Sequence, residues 1–442
     1  MKKLLLNLTI LVTVLSIAGC AGNNKTDNTA GDKAGSGGTK SENTAASVTK
    51  IEYWYAQAAQ LSKATEDMIS KYNSEQSDVK VTGVNLGDGS ALATKLQAAI
   101  LAGNQPAIAM LATTQTSEFG LSRALDDLKT YFSKEEIAAF HPGMLNNALI
   151  KDQLLGIPFY RSTFVMYYNK NMLRDAGLPD AGPKNWEELK SFALKTTDKN
   201  KSVVGFEMPI DVIFFEDGVF QQKGEMFSPD EKQVAFDNEA GYATVRLYQD
   251  MIKNGSMKIP SGQESNAHLS AINDFISQKA AIIFTTSATL PTMLEGAKDK
   301  FELGVGFLPA GQQYAASTTG SNLTVLAKSS TQEKKAAVDF IKWLAQKENV
   351  AQLSEVTGYI PVTKEAKESE RIKQLWTKTP QYRVAYDQLD FARSRPTMKG
   401  YKEISIKIQD EIKKALMDVS ITPEDAVKSA AKQVQQLLDA QK

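Results

Sequence analysis

The sequence predicts an α/β protein made of two lobes, and two observations lead to this prediction. Strand-like and helix-like segments alternate along the chain, and the same alternation returns in its second half, which is typical of folds with largely parallel sheets. Beyond the N-terminal leader and a polar segment, about 395 residues remain, which is too many for one ordinary hydrophobic core and suits two domains.

The first 19 residues are predicted to be a secretory signal peptide. Lys2 and Lys3 precede an apolar run, Leu4 to Ala18, and small residues close it. This run is shorter than the roughly 20 apolar residues that a membrane-spanning helix needs. The chain's single cysteine, Cys20, follows directly, so it can form neither an intramolecular disulfide nor a multi-cysteine metal site. An uncleaved signal anchor with an incidental thiol is the alternative.

The residues from Ile17 to Cys20 resemble the bacterial lipobox, in which the cysteine is diacylated and becomes the mature N-terminus. That resemblance implies lipidation at Cys20 and a location at the extracytoplasmic face of the cell membrane. Residues 21–47 are small and polar, with no large apolar side chain, so burial cannot offset their chain entropy. The segment 20–48 is therefore predicted to be a lipidated, flexible tether.

In the first half of the folded chain, three strands alternate with helices. The strands are predicted at IEYWY (51–55), VKVTGV (79–84) and AIAMLA (107–112), the last buried on both faces. One helix covers 61–72, and a second begins near Ser90 and ends at Gly103.

In the second half, the same pattern continues with FVMYYN (164–169), AAIIFTT (280–286) and FELGVGF (301–307) as strands. Three polar residues predict helix N-caps, namely Asn185, Ser330 and Thr422. The stretch DVIFFEDG (211–218) is interpreted either as strand core or as a pocket wall.

Composition and motifs exclude several classes of function. Basic and acidic residues balance at 51 each, so nucleic-acid binding has no electrostatic support. Neither His141 nor His268 lies in a metal-ligand pattern, and we interpret both as surface or cap residues. There is no GxSxG motif, and the single thiol would be acylated, so serine-histidine and cysteine-histidine hydrolysis have no support. We therefore predict no catalytic residue, no metal and no cofactor. A glycosidase remains open, because its carboxylate pair leaves no readable spacing.

Aromatic and small polar residues lie at the ends of predicted strands, where open α/β sheets bind ligands. Aromatic faces stack on sugar rings, and hydroxyls and amides bond sugar hydroxyls. The candidate ligand-binding residues at these ends are Tyr55, Gln57, Thr114, Gln115, Ser162, Ser287 and Gly320. Arg161, Arg393 and Arg395 are interpreted first as solvated or salt-bridged side chains.

Four longer segments resemble family 1 extracellular solute-binding proteins of ABC importers, the group that includes maltose-binding protein. They are GIPFYRSTFVMYYNKNMLRDAGLPDAGPKNWEEL (156–189), AAIIFTTSATLPTM (280–293), TTGSNLTVLAKSS (318–330) and AAVDFIKWLAQKENVAQLSEVTGYIPVTKEA (336–366). The resemblance extends from about Thr49 to the end of the chain. It implies a type II periplasmic-binding-protein-like fold, in which a multi-crossing hinge joins two α/β lobes and a ligand cleft lies between them.

The family resemblance also implies lobe boundaries and partners. Lobe one would hold 49–159 and 318–356, and lobe two would hold 160–317 and 357–442. The protein would be a monomer that binds a small solute without chemistry and passes it to the transmembrane subunits of an ABC permease.

Within this family, the segments are most similar to binders of glycerol-3-phosphate and glycerophosphodiesters. In those relatives, residues equivalent to Ser162, Ser287, Gly320 and Tyr359 lie at the ligand. Their phosphate-binding arginine is matched here by Lys402, which lacks the planar fork for bidentate binding, and their cleft tryptophan is missing from EMPIDVIFFEDG (207–218). A sugar or oligosaccharide is therefore the first expectation. A glycerophosphoryl compound, with Arg395 as its cation, is the second.

Two other classes of function stay open. A secreted carbohydrate-active enzyme would turn over oligosaccharides with a pair of cleft acids. A scaffold lipoprotein would have no need of crossing segments or of polar residues at strand ends.

Overall fold

The computed structural model describes residues 48–262 and 265–441. The predicted signal peptide, the lipidated Cys20 and the tether as far as residue 47 lie outside these residues. Within the described part, no helix combines the length and the apolar character that crossing a membrane would require.

The first part of the chain forms lobe one, which we define as the lobe that contains the first three strands. Asp88 begins the second helix by accepting hydrogen bonds from two backbone amides, and Gly103 ends it with φ 73°. All three predicted strands and both predicted helices are confirmed. In order, the elements are β1 (Thr49–Tyr55), α1 (Ala59–Glu75), β2 (Val79–Asn85), α2 (Gly89–Ala102), β3 (Ile108–Ala112), α3 (Thr113–Leu121), α4 (Lys134–Ala138), α5 (Pro142–Leu145), β4 (Leu149–Ile150) and β5 (Gln153–Leu154).

The middle of the chain forms the sheet of lobe two, and one interpretation of the sequence fails here. DVIFFEDG is not a strand, because Asp211 caps a helix and both Phe214 and Phe215 are buried within it. The elements are β6 (Ile157–Asn169), α6 (Lys170–Asp175), α7 (Trp186–Thr196), β7 (Val204–Glu207), α8 (Val212–Gln221), α9 (Glu239–Lys253), β8 (Met257–Lys258), α10 (Ser265–Ile276), β9 (Ala280–Thr286), α11 (Leu290–Ala297) and β10 (Leu303–Gly306).

The last part of the chain returns to lobe one and then to lobe two. Ser330 and Thr422 cap their helices as predicted, and Asn185 does so in the middle part. The elements are β11 (Ala316–Val325), α12 (Thr331–Leu344), α13 (Lys347–Thr357), α14 (Glu370–Lys378), α15 (Gln381–Asp387), β12 (Ala392–Arg393), α16 (Tyr401–Met417) and α17 (Pro423–Asp439).

One strand, β6, takes part in the sheets of both lobes. Neighbouring strands follow the order β2-β1-β3-β11-β6-β9-β7-β8. The first part of β6, from Ile157 to Thr163, pairs antiparallel with β11, and the part from Phe164 to Tyr168 pairs antiparallel with β9. Arg161 in the middle of β6 also forms a bridge with Ile360, which follows α13. The polypeptide therefore crosses between the lobes around residues 161–164, and we call this region the crossing.

Each lobe buries apolar side chains on both faces of its strands, which anchors the strand ends at the crossing. In lobe one, the two faces are represented by Tyr53, Met110 and Phe340, and by Trp54, Leu96 and Phe119. In lobe two, they are represented by Phe206, Phe214 and Ile404, and by Tyr167, Phe275 and Met293. The exact residues at which one lobe ends and the other begins stay a prediction.

Candidate functional site

Four of the nine predicted ligand-binding residues meet at the crossing. They are Ser162 of β6, Ser287 after β9, Gly320 of β11 and Tyr359 after α13. The Ser162 hydroxyl lies 2.8 Å from the Thr319 hydroxyl, and the Ser287 hydroxyl accepts a hydrogen bond of 3.3 Å from the backbone amide of Thr163. Strands from both lobes thus bring hydroxyl groups to one place, which is the arrangement that recognition of a polar solute requires.

A β-bulge at the crossing shapes the backbone around these hydroxyls. Gly320 pairs with Arg161 while Ser321 pairs with Phe159, so Tyr160 is the extra residue of β6. Its φ of 46° and the φ of 99° at Gly320 both lie in the left-handed region, where L side chains are strained. Bulges of this kind re-aim side chains next to functional sites. Sequence reasoning missed this feature of Tyr160.

Tyr359 is connected through Tyr160 to the predicted residue Gln57. The rings of Tyr359 and Tyr160 pack edge to face with centroids 5.0 Å apart. The Tyr160 hydroxyl lies 3.1 Å from that of Thr65, which donates a hydrogen bond of 2.7 Å to the Gln57 side-chain oxygen. Burial raises the pKa of Tyr160 to about 12 and raises that of Tyr359 as well. Both phenols therefore stay neutral, and Gln57 lies behind them in the interior.

The predicted residue Tyr55 bonds a helix of lobe one and is not among the residues that meet at the crossing. Its side chain is 1% exposed, and its hydroxyl donates a hydrogen bond of 3.2 Å to Glu66. It lines a cavity of about 530 Å³ between α1 and β2, next to Gly83. This cavity includes none of the other predicted ligand-binding residues.

Thr114 and Gln115 occupy the first turn of α3, at the carboxyl end of β3. The Gln115 side chain accepts a hydrogen bond from the backbone amide of Ala112 and donates one of 2.8 Å to the carbonyl of Gly89. Gln115 therefore ties α3 to the start of α2, while Thr114 is half-buried in the same turn.

Arg395 lies against lobe two and forms a salt bridge with an acid of α8. It donates two hydrogen bonds, of 2.8 and 2.9 Å, to the fully buried carboxylate of Glu216, which also accepts one from Tyr401. Burial lowers the pKa of Arg395, but the charge and hydrogen bonds of Glu216 outweigh it and raise the pKa well above the ordinary value. The salt-bridged interpretation of this arginine is correct, and its contact with a solute stays a prediction.

The interpretation of Arg161 as a solvated or salt-bridged side chain is wrong. The residue is 0% exposed, and it has no carboxylate partner among the described residues. Its guanidinium donates to the Asn322 side-chain oxygen at 3.0 Å and to the Thr318 hydroxyl at 2.8 Å. Burial alone lowers its pKa to about 9. A positive charge therefore lies inside the crossing, directly after Tyr160 and before Ser162 in the chain.

Sequence reasoning also missed the pairing of His268 with Asp211, which follows β7 of lobe two. The His268 imidazole lies 3.2 Å from the Asp211 carboxylate. The His268 side chain is 22% exposed, and the described residues contain no group of three or more His, Cys, Asp or Glu residues placed to hold a metal ion. The N-cap position of Asp211 before an apolar run was the available signal in the sequence.

Comparisons with known proteins agree with this architecture. Residues 67–382 match the family model described as bacterial extracellular solute-binding protein. A curated relative, the sn-glycerol-3-phosphate-binding periplasmic protein UgpB of Pectobacterium atrosepticum, is 26% identical over 418 residues, covering 89% of this chain and 92% of its own.

Two solved structures show the same fold. One is the cyclic α-maltosyl-1,6-maltose binding protein from Arthrobacter globiformis, with a TM-score of 0.79 and 22% identity over 89% of this chain and 99% of that one. The other is UgpB from Mycobacterium tuberculosis in complex with glycerophosphocholine, with a TM-score of 0.79 and 22% identity over 89% of this chain and 100% of that one. The predicted two-lobe binding-protein fold is thereby confirmed.

Proposed function

The chain belongs to the bacterial extracellular solute-binding proteins, and from that premise we propose that it is a lipid-anchored receptor for a sugar or oligosaccharide. It would close its two lobes around the solute and deliver it to the membrane permease of an ABC importer. The observation that carries this proposal is the meeting of Ser162, Ser287, Gly320 and Tyr359 at the crossing, where strands of both lobes converge.

Binding at such a crossing can drive closure without chemistry. A solute that contacts hydroxyls of both lobes interacts more strongly with the closed state than with the open one, so it shifts the population towards closure. The permease would recognise that closed state. The remaining predicted contacts, Tyr55, Gln57, Thr114, Gln115 and Arg395, and the predicted lobe boundaries are part of this proposal.

The arginines and the lysine that could stand in for the relatives' phosphate-binding arginine favour a neutral solute. Arg395 is held by Glu216, and Arg393 donates a hydrogen bond of 2.6 Å to Glu225. Lys402 is exposed in the first turn of α16. Cations that are already paired with carboxylates have little capacity left for the bidentate binding of a phosphate.

One observation favours the alternative, a receptor for glycerol-3-phosphate or glycerophosphodiesters. The buried charge of Arg161 has no carboxylate partner among the described residues, and in a low-dielectric interior an uncompensated cation attracts an anion over several ångströms. The ligands in the names of the two UgpB relatives are of this class.

A thermal-shift panel separates these possibilities. The panel contains mono- and oligosaccharides, polyols, glycerol-3-phosphate and glycerophosphodiesters. A ligand at 100 times its Kd adds roughly 2.7 kcal/mol to the free energy of unfolding, which raises Tm measurably. A hit with a neutral sugar supports the first proposal, and a hit only with glycerophosphoryl compounds supports the alternative. Hydrolysis of any panel sugar would contradict the assignment of a binding protein without catalysis.

The hydroxyl of Tyr359 provides a specific test of the site. In the Tyr359→Phe variant, we expect the affinity for the solute to fall about 5- to 13-fold, because one hydrogen bond of about 1–1.5 kcal/mol is lost. The free energy of unfolding without solute should stay within about 0.5 kcal/mol, because no described residue bonds this hydroxyl. Calorimetric titration and urea unfolding measure the two quantities. Ser287→Ala should also weaken binding, but it leaves the backbone amide of Thr163 without this acceptor and so should lower the free energy of unfolding by about 1 kcal/mol. A comparable loss of stability in Tyr359→Phe without solute would assign Tyr359 to the core instead.

Lipidation at Cys20 is tested by cell fractionation. Two acyl chains contribute about 0.8 kcal/mol for each buried methylene, so the unmodified protein should be found with the membrane. A Cys20→Ala variant should appear in the soluble extracytoplasmic fraction. Retention of that variant at the membrane would contradict the lipid anchor and favour an uncleaved signal segment. We also propose that the released protein is a monomer, which its sedimentation would check.

A further inference from the structure

The end of lobe two that faces the crossing carries a carboxylate and an imidazole outside the set of predicted contacts. Asp211 follows β7, which runs parallel to β9. The last residue of β9, Thr286, pairs with Phe164, two residues after Ser162 in β6. The carboxyl ends of β7 and β9 therefore both point towards the crossing.

His268 reaches the same end from the neighbouring helix. Helix α10 leads into the start of β9, so its first turn, which contains His268, lies beside the carboxyl end of that strand. The imidazole lies against Phe164, with ring centroids 6.1 Å apart, and against Phe214 at 6.4 Å. These two buried rings hold the imidazole in place at this end of lobe two.

The two polar groups are bound to each other but retain capacity for a ligand. One Asp211 oxygen accepts a hydrogen bond of 3.0 Å from the backbone amide of Ile213, and the other lies 3.2 Å from the His268 Nε2. Their side chains are 32% and 22% exposed. Each carboxylate oxygen has a second lone pair. The Nδ1 atom of His268 has no hydrogen-bond partner among the described residues.

Asp211 is held in its charged form. Burial by itself raises the pKa of this carboxyl, but the hydrogen bond with His268, the charge of Arg395 and the amide of Ile213 together lower it below the ordinary value. An ionised carboxylate only accepts hydrogen bonds, and it binds a hydroxyl about twice as strongly as a neutral acceptor does.

We propose that Asp211 and His268 bind two neighbouring hydroxyl groups, a vicinal diol, of the solute from the lobe-two side of the cleft. One hydroxyl donates to the carboxylate, and its neighbour bonds the free Nδ1 of the imidazole. This inference rests on the proposed function. Sugar rings and the glycerol moiety of glycerophosphodiesters both carry a vicinal diol, so the pair would recognise the chemistry that the two solute classes share.

The test compares Asp211→Asn and His268→Gln with the unaltered full chain. Asparagine caps helices as well as aspartate does, so α8 should keep its N-terminus. The matched control is Asp198→Asn, because Asp198 also caps a short helix, Lys199–Lys201, but it precedes β7 and so lies at the opposite end of that strand. Calorimetric titration uses four probes: maltose, maltotriose, sn-glycerol-3-phosphate and glycerophosphocholine.

We expect Asp211→Asn to weaken binding of whichever probe the unaltered protein binds by tenfold or more. His268→Gln should weaken it in the same direction, and Asp198→Asn should leave it unchanged. The unliganded Tm should fall no further in the two site variants than in Asp198→Asn, whose carboxyl pKa is likewise lowered in the folded protein. If the bound probe is glycerophosphocholine, Asp211→Asn should also lose the preference over phosphocholine, which lacks the glycerol diol. If it is a sugar, the variant should lose the preference over deoxy analogues.

Each other result overturns the inference in a distinguishable way. Unchanged affinity in Asp211→Asn would contradict the diol contact while leaving the proposed function intact. A loss of affinity that is accompanied by a larger fall in unliganded Tm than Asp198→Asn shows, or that is matched by Asp198→Asn, would assign Asp211 a structural role. Failure of the unaltered protein to bind any of the four probes would contradict the proposed function on this panel, and the inference would fall with it.

Discussion

Replacing Gly320 by alanine should both destabilise the protein and abolish solute binding. The added Cβ would lie 2.1 Å from the carbonyl oxygen of Tyr160 and 2.9 Å from the Cα of Arg161. Both contacts are with backbone, which no side-chain rotation can relieve. With the additional strain at φ 99°, we expect the free energy of unfolding to fall by about 3–5 kcal/mol. Urea unfolding measures this loss.

Binding should be lost because the bulge that Gly320 forms with Tyr160 positions the neighbouring hydroxyls. The matched control is Gly87→Ala. Gly87 also has a positive φ, of 82°, but a Cβ added at that position would have no atom within 4 Å, so that variant should lose only about 1 kcal/mol. Equal losses in the two variants would show that backbone conformation alone, and not the close approach of β6 and β11, requires glycine at position 320.

Replacing Glu216 by glutamine should be the second most damaging change. It leaves the guanidinium of Arg395, whose side chain is 16% exposed, without its charged partner. Removing one member of a buried ion pair typically costs about 3–5 kcal/mol, because the remaining charge is desolvated without compensation. Thermal or urea unfolding of Glu216→Gln should show a loss of this size, which is of the same order as the whole stability margin of many domains.

Two further variants decide whether the uncompensated charge is the cause. Glu225→Gln removes the acid of an exposed pair with Arg393, whose side chains are 58% and 35% exposed, and should cost less than about 1 kcal/mol. The double variant Glu216→Gln with Arg395→Met removes both charges and should recover part of the stability. No recovery in the double variant would show that hydrogen bonding or packing by Glu216, rather than the unpaired charge, accounts for the loss.

Local patterns explain why the sequence could predict most of the elements. Alternating apolar residues marked β1 and β2, and N-cap residues such as Asn185 and Ser330 marked helix starts. These signals act over a few residues, so they are visible without tertiary structure. The error at DVIFFEDG has the same origin. Helix α8 is buried on all sides, and a helix buried all round shows no amphipathic period that distinguishes it from a buried strand.

The candidate site was only partly predictable, because its contacts join residues that are far apart in the chain. Arg161 and its hydrogen-bond partner Asn322 are 161 positions apart, and Arg395 and Glu216 are 179 positions apart. Nothing local distinguishes an arginine that will be buried without an acid from one that will form an ion pair. Likewise, the positive φ of Tyr160 arises from its pairing with β11 and has no signature of its own.

The sequence by itself determined the α/β class, the order of most strands and helices and the two-lobe family, and its nine candidate residues include the four that meet at the crossing. It could do so because periodicity, capping residues and family motifs are properties of short continuous segments. Only the tertiary structure decided which strand-end side chains face one another, which arginines are neutralised by a carboxylate, and that Asp211 and His268 lie within hydrogen-bond distance of each other. The physical reason is that burial and hydrogen-bond partners depend on which strands pair, and pairing here joins segments more than a hundred residues apart.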